Sequence, residues 1–297
     1  MKWKNYKSNA KKKNLYNLTT LNIGGVANYF KLCTSVYDLR IAISWSNKMK
    51  IPWFIIGNGS NILFSDDGFH GLVIKLVGNF MRVNINNNSI IAGSGVLLPS
   101  LSRHCLANCW SGFEFMCGIP GTIGGAVRMN AGTKQGEIKD HFVSATVLTH
   151  DGAIKNLSKE DMQFSYRHSI LAKTRDILLS ATFAKHKVAP KEDIQKTIKE
   201  IIASRRQKQP RIKRNCGSVF KSPPGNKPAG WYIEQVGLKG FRVGDAMISY
   251  EHANWIVNLG NAKAYDVKSI ISYVEYIVLQ KFNVCLEREV LYIPEDL

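Results

Sequence analysis

Two stretches of the chain combine residue types that let a backbone grip a ligand. The apolar run Trp53-Phe54-Ile55-Ile56 ends abruptly in GNGSN at Gly57, Asn58, Gly59, Ser60 and Asn61. Glycine admits positive φ and leaves room beside the backbone, so the exposed N–H groups, with Ser60 and Asn61, can donate to phosphate oxygens. A tight strand-to-strand turn explains GNGSN slightly better when that motif is taken alone. The second stretch, GIPGTIGGAVRMNAG at 118–132, sets Gly118, Gly121, Gly124, Gly125 and Gly132 among apolar residues instead of polar linker filler. A packed, glycine-dense loop of this kind lies against a flat or phosphorylated ligand; a cluster of structural turns is the weaker reading. Neither stretch is GxGxxG or GxxxxGK[ST], which disfavours Rossmann and P-loop architectures. Two separated glycine loops point to a different way of holding a dinucleotide such as a flavin.

The rest of the composition bounds what such loops serve. With 297 residues the chain exceeds what one hydrophobic core usually organises, so two or three subdomains are expected. An apolar fraction of 45% and a charged fraction of 21% describe an ordinary globular protein. The formal net charge of +18, from 40 Lys+Arg against 22 Asp+Glu, favours anionic partners: nucleic acid, anionic membranes or phosphorylated small molecules. The basic residues are scattered, apart from Lys11-Lys12-Lys13 and the 205–214 stretch, and no aromatic-interleaved stripe occurs. A solvated lysine-rich surface is therefore preferred to nucleic-acid binding. The cysteines at 33, 105, 109, 117, 216 and 285 form no CxxC pair, and no Cys/His pair at zinc spacing follows Cys105 and Cys109. Reduced thiols, no metal and a cytoplasmic location are expected. The basic N-terminus lacks a following apolar h-region, and no run approaches the length of a membrane span.

Elements to position the glycine loops can be read from periodicity. Residues 36–49 suggest a short helix on Leu39, Ala42 and Ile43, and 53–56 a buried strand. Strands follow at 72–77, 81–85 and 89–92, the last two joined by Asn86-Asn87-Asn88, and a helix at about 97–110. Segments 143–149 and 153–157 form a hairpin around Asp151-Gly152, the preferred type I′ pair, and 177–184 is a further strand. Ile194, Ile198, Ile201 and Ile202 mark a helix over 191–208 that Pro210 stops. Val267, Ile270, Ile271, Val274, Ile277 and Val278 mark another over about 266–281, before a final strand near 284–293. Interspersed helices and strands give an α+β or α/β class.

The ordered segments TTLNIGG (19–25), IGNGSNIL (56–63), GIPGTIGGAVRMNAG (118–132), YRHS (166–169), GSVFKSP (217–223), AGWYIEQVGLKG (229–240), HANWIVN (252–258) and LEREV (286–290) span nearly the whole chain. In order and spacing they resemble the UDP-N-acetylenolpyruvoylglucosamine reductase family, in its shorter subtype. The resemblance implies an α+β protein. It would have an FAD-binding fold of the vanillyl-alcohol-oxidase type in two subdomains (19–76 and 77–190), a C-terminal α+β substrate-binding domain (191–297) and a flexible basic arm at 1–18. It implies non-covalent FAD held by residues 57–61 together with Gly118, Ile119, Pro120, Gly121, Thr122, Gly124, Gly125, Asn130 and Gly132. NADPH would be the co-substrate. The protein is expected to act as a monomer on a UDP-sugar in peptidoglycan precursor synthesis, without nucleic acid, membrane or metal.

Residue by residue, the resemblance assigns Arg167 to the catalytic arginine, suited to an enolate-like charge because a guanidinium stays protonated and binds carboxylates bidentately. It assigns Ser218 to the proton donor and Glu289 to the catalytic glutamate, with Glu287 left to a structural salt bridge. Tyr166, Lys208, Lys221, His252 and Asn254 fall to substrate binding, with Arg242 another basic candidate; capping or core roles compete for His252 and Asn254, and helix-dipole compensation for Lys208. Three departures from the family pattern stand out: Ser222 for a common asparagine, TKQGE with Lys134 for AYGGE, and the basic RIKRNCGS before the serine. Two alternatives remain on sequence alone: another FAD-dependent oxidoreductase of this fold, and a basic nucleic-acid-binding protein.

Overall fold

The computed structural model describes residues 11–185, 187–225 and 227–297. They belong to two units, and the chain passes between these at 30/31, 58/59, 73/74 and 205/206.

One unit comprises Lys31–Asn58 and Ile74–Arg205. Its frame is a five-stranded antiparallel sheet in the spatial order Ile154–Ser158, Phe142–Leu148, Ile177–Ala184, Ser89–Gly93, Val83–Ile85. The period-2 pattern sets its inner face: Ala145 pairs with Ala181, Ala181 with Ala92 and Phe183 with Ile90, and all five are buried. Leu98, Leu101 and Cys105 of helix Leu98–Ala107 and Ile123, Ala126 and Val127 of helix Ile123–Arg128 join them in one core. The hairpin at Asp151-Gly152 forms, but not as a type I′ turn. Only Gly152 has positive φ, while Thr149 closes the loop by donating its N–H to Ala153 and accepting that of Gly152. A type I turn followed by a left-handed glycine makes a longer loop than the two-residue kind.

The other unit comprises the described part of Met1–Phe30 with Gly59–Val73 and Arg206–Leu297. An antiparallel sheet runs in the order Asn215–Ser218, Trp255–Asn258, Ala246–Ile248, Arg242–Val243. Its core holds Val267, Ile270, Ile271, Val274 and Val278 of helix Ala264–Phe282, with Ala229, Tyr232 and Ile233 of helix Ala229–Gln235. The Asp66 carboxylate accepts the N–H groups of Ala264 and Tyr265 at 2.8 and 3.1 Å, satisfying two donors that a helix start leaves unpaired. Strand Leu291–Ile293 pairs in parallel with Ile62–Phe64.

The arm expected over 1–18 needs correction where it is described. Lys11–Asn14 is a strand antiparallel to the one beginning at Val26, and Leu15, at the head of a 3-10 turn, is fully buried. The basic composition hid this because edge strands tolerate exposed lysine; residues 1–10 lie outside the described residues. The final strand is shorter than expected, covering only Leu291–Ile293. The long helices follow the sequence reading closely, at Lys191–Lys208 and Ala264–Phe282, although Ile202 is exposed and only Ile194 and Ile201 of the first are buried.

Ile270→Ala should lower unfolding free energy by about 3 kcal/mol, the usual result of emptying a fully buried aliphatic site. Asp66→Ala should lower it by about 1 kcal/mol through the lost cap. Urea titration followed by circular dichroism measures both.

Candidate active site

The two glycine stretches meet within the first unit described. Asn58 Nδ2 donates to the carbonyl of Pro120 at 2.7 Å, and a Cβ on Gly57 would sit 2.5 Å from Thr122 Oγ1. The 118–132 loop is itself zipped to residues 94–98: Leu98 N–H donates to Gly121 O at 3.0 Å, Ile123 to Val96 at 2.8 Å and Gly124 to Ser94 at 2.8 Å. Thr122 caps the short helix that follows by accepting the Gly125 N–H.

These contacts redistribute the roles expected of the glycines. Gly57, Gly118, Gly124 and Gly132 make room for protein: for Thr122, the Arg205 side chain, Ser94 and Glu137 respectively. Gly59, with φ of +64° in the other unit, lies against Leu18 and Thr19. Gly121 and Gly125 differ, because a Cβ there would meet nothing closer than 3.6 and 3.8 Å. The backbone N–H groups of Gly121 and Thr122 donate to no described residue, whereas those of Ile119, Ile123, Gly124 and Gly125 do. The open part of the cradle is thus Gly121-Thr122 with Gly125, and two unspent amides there are of the kind that bind phosphate oxygens. That chemistry fits a dinucleotide such as FAD.

Arg167 sits at the corner of a tight turn in which Ser165 and His168 exchange backbone hydrogen bonds at 3.1 and 3.2 Å. Its φ is +55°, a conformation that costs a non-glycine residue roughly 1 kcal/mol and clusters at functional sites. The turn is stapled to the glycine loop at three points: Arg167 to Gly132 O at 3.0 Å, Asn130 Nδ2 to Ser165 O at 3.0 Å and Ser169 Oγ to Arg128 O at 2.7 Å. The Arg167 guanidinium lies 5.1 Å from the centroid of the exposed Tyr166 ring, which restricts its orientation.

Asn130, expected to hold the cofactor, is instead fully engaged in the protein. Its amide donates to Glu137 and Ser165 and accepts from Lys139 N–H, all at 3.0 Å, and its residue is wholly buried. Its work is to tie YRHS to the glycine loop. Lys134 is exposed in the turn between Thr133 and Gly136.

In the other unit, Ser218 ends strand Asn215–Ser218, just after Gly217 at φ +77°. Its hydroxyl is half-buried and has no hydrogen bond to another described residue. Segment 219–221 runs beside 287–290: Glu289 and Val290 both donate N–H to Val219 O, at 2.8 and 3.4 Å, and Lys221 donates to Glu287 O at 2.8 Å. This pairing sets the residues that follow Ser218 beside the segment that carries Glu289. Glu289 is half-buried, and Asn61 Nδ2 holds its carbonyl at 3.0 Å, so Asn61 supports the glutamate segment with the side chain that was expected to face the cofactor. Burial pushes the Cys216 thiol up to about 12, with the Glu289 carboxylate adding to the shift. The thiol is therefore neutral at neutral pH and inert beside the carboxylate.

The substrate-binding expectations divide. Lys221 forms an ion pair with the exposed Glu287. Lys208 is exposed at its helix end. The His252 imidazole is held below its usual pKa by burial and by Lys239, and its Nδ1 accepts the Asn254 N–H at 3.2 Å. Asn254 is 6% exposed and spends its amide on Phe220, as a core polar group does. Arg242 pairs with Asp245 at 2.5 Å.

Arg205 escaped the sequence reading. One turn before Lys208, its side chain lies across Gly118, where any Cβ would overlap it. Burial lowers its pKa, and it has no ion pair among the described residues. The bare glycine three residues before Gly121 was the only sequence signal, and it named no partner.

Among the described residues no helix is long and apolar enough to cross a membrane, and no group of three or more His, Cys, Asp or Glu is placed to hold a metal. The six cysteines are free thiols.

Comparison with known proteins bears on the same two units. Residues 27–158 match the FAD binding domain family, and residues 209–293 match the C-terminal domain of UDP-N-acetylenolpyruvoylglucosamine reductase. The reductase of that name from Listeria monocytogenes serotype 4b is 41% identical over 278 residues, covering 94% of this chain and 92% of the relative. That from Caldicellulosiruptor saccharolyticus is 45% identical over 288 residues, covering 96% and 92%. The crystal structure of the Thermus caldophilus reductase superposes with a TM-score of 0.83 at 38% identity, over 96% of this chain and 99% of that one. With an open glycine cradle in one unit and the paired Ser218 and Glu289 segments in the other, the chain belongs to the UDP-N-acetylenolpyruvoylglucosamine reductase family.

Proposed function

We propose that this protein is an FAD-containing, NADPH-dependent oxidoreductase that reduces UDP-N-acetylglucosamine enolpyruvate to UDP-N-acetylmuramate in peptidoglycan precursor synthesis. The observation that carries the flavin part is the cradle in which Asn58 joins the two glycine loops while Gly121 and Gly125 stay open. FAD, reduced by NADPH, supplies the hydride.

The chain's own groups handle charge and proton. Hydride addition to the terminal alkene carbon leaves negative charge on the adjacent carbon and in the carboxylate. Arg167 is proposed to meet that charge: its guanidinium is pre-oriented by Tyr166 and Gly132. Ser218 is proposed to deliver the proton. Its hydroxyl makes no hydrogen bond to another described residue, which leaves the O–H for transfer. Glu289 is proposed to stabilise the enol form. Gly121, Thr122 and Gly125 are the proposed cofactor contacts, and Tyr166, Lys208 and His252 the proposed substrate contacts. Arg205 joins the proposed anion-binding groups because it is a half-buried cation that pairs with no carboxylate among the described residues. A monomeric state and a cytoplasmic location go with this proposal.

Ser218→Ala should still bleach the flavin with NADPH, while reoxidation by the enolpyruvyl sugar nucleotide falls by about 100-fold or more. Stopped-flow absorbance separates the two half-reactions, and equal loss of both would remove the proton-donor role. Gly125→Ala should leave the melting temperature unchanged yet weaken FAD binding by about tenfold, or about 1.4 kcal/mol. Gly57→Ala, which pushes into Thr122, should lower the melting temperature itself. Flavin fluorescence titration against the apoprotein reads the first effect; wild-type affinity in Gly125→Ala would move the cofactor elsewhere.

A further inference from the structure

The strand that ends in Ser218 does not pair regularly. Asn215 lies opposite Val257 and Ser218 opposite Trp255, so three steps on one strand face two on the other. The extra residue falls at Cys216-Gly217, where Gly217 takes φ of +77°. A bulge of this kind re-aims the side chain that follows and interrupts the ladder of backbone hydrogen bonds. Ser218 is that next side chain, and an interrupted ladder is a poor support for a group that must deliver a proton to one carbon.

Beyond the bulge, support comes from a side chain. Val219 N–H donates to the backbone carbonyl of Asn254 at 2.9 Å. One residue further on, the Asn254 amide takes over: Oδ1 accepts the Phe220 N–H at 2.9 Å and Nδ2 donates to the Phe220 carbonyl at 2.8 Å. A primary amide carries one acceptor and two donors, so it can stand in for a strand's peptide group and satisfy both polar atoms of Phe220. The opposite edge of the same segment is held by Glu287, Glu289 and Val290 through backbone bonds.

We propose that Asn254 is a positioning residue for the reaction: its side-chain amide replaces the broken ladder after the bulge and fixes the Ser218 hydroxyl in register with Glu289. The inference rests on Ser218 being the proton donor. Asn254 touches no reacting atom; it acts through the Phe220 peptide. Replacing its donor NH2 by a carboxylate oxygen keeps shape and the bond to Phe220 N–H but sets oxygen against the Phe220 carbonyl, so the segment shifts.

Asn254→Asp is the test, in the intact flavoprotein. Bleaching by NADPH should stay within about twofold of wild type, and KM for the enolpyruvyl sugar nucleotide within about threefold. Sugar-dependent reoxidation should slow by about 30-fold, as small misplacements of a reacting group do, with a larger solvent deuterium isotope effect. A merely structural role would lower both half-reactions together or leave the isotope effect unchanged, and either result overturns the proposal. If Asn254→Asp does not yield folded protein, Asn254→Ser is measured the same way under the same criteria. Ser218→Ala separates the two ideas. If it retains reoxidation, the proton-donor reading fails and this inference with it; if it loses reoxidation while the Asn254 variants keep wild-type rates, only the positioning role falls.

Discussion

Backbone groups in an irregular segment must find partners or stay in water, and in this protein the residues around Ser218 are governed by that demand. A bulge at Cys216-Gly217 interrupts the ladder just before Ser218, and beyond it Val219, Phe220 and Lys221 need hydrogen bonds from elsewhere. They receive them on both edges, from Asn254 on one side and from Glu287–Val290 on the other. The second edge carries Glu289. The fold therefore couples the serine and glutamate segments through their backbones.

The same device recurs in the other unit. Asn130 is buried, adopts positive φ and uses its whole amide to link the glycine loop to the turn that carries Arg167. In each unit a buried asparagine does for a loop what a neighbouring strand does for a sheet. Buried amides that are fully bonded specify one arrangement and penalise others, because each lost partner leaves a polar atom dry. That rigidity suits groups whose placement decides a rate, including an arginine held in a left-handed backbone.

The sequence made some of this legible and hid the rest for identifiable reasons. The helices at 191–208 and 264–282 and the central strands of the five-stranded sheet were readable because each buries residues at its own regular spacing. The exposed edge strand at Lys11–Asn14 and the buried Leu15 after it were not, since three lysines look like a solvated arm unless the position of Leu15 is known. Glycine motifs announced close approach but not what approaches: Gly57 and Gly118 receive side chains of this protein, whereas Gly121 and Gly125 stay open. For the same reason Asn61, Asn130 and Asn254 read as ligand contacts. An asparagine in a conserved-looking motif can face a ligand or brace a backbone, and only its partners decide. Arg205 had no motif of its own and became visible only through the missing Cβ beneath it.

The parallel pairing of Ile62–Phe64 with Leu291–Ile293 has a bearing on how the chain comes to be folded in the cell. Asn61 reaches the Glu289 carbonyl across 228 positions. A ribosome releases those early residues long before their partners exist. Contacts of such separation close slowly, since loop entropy is spent before any bond repays it. The other unit's five-stranded sheet lies wholly within residues 74–205 and can assemble as it emerges. Synthesis thus leaves the nascent N-terminal hydrophobic residues, Leu21, Ile23 and Leu63 among them, without their final neighbours until translation ends.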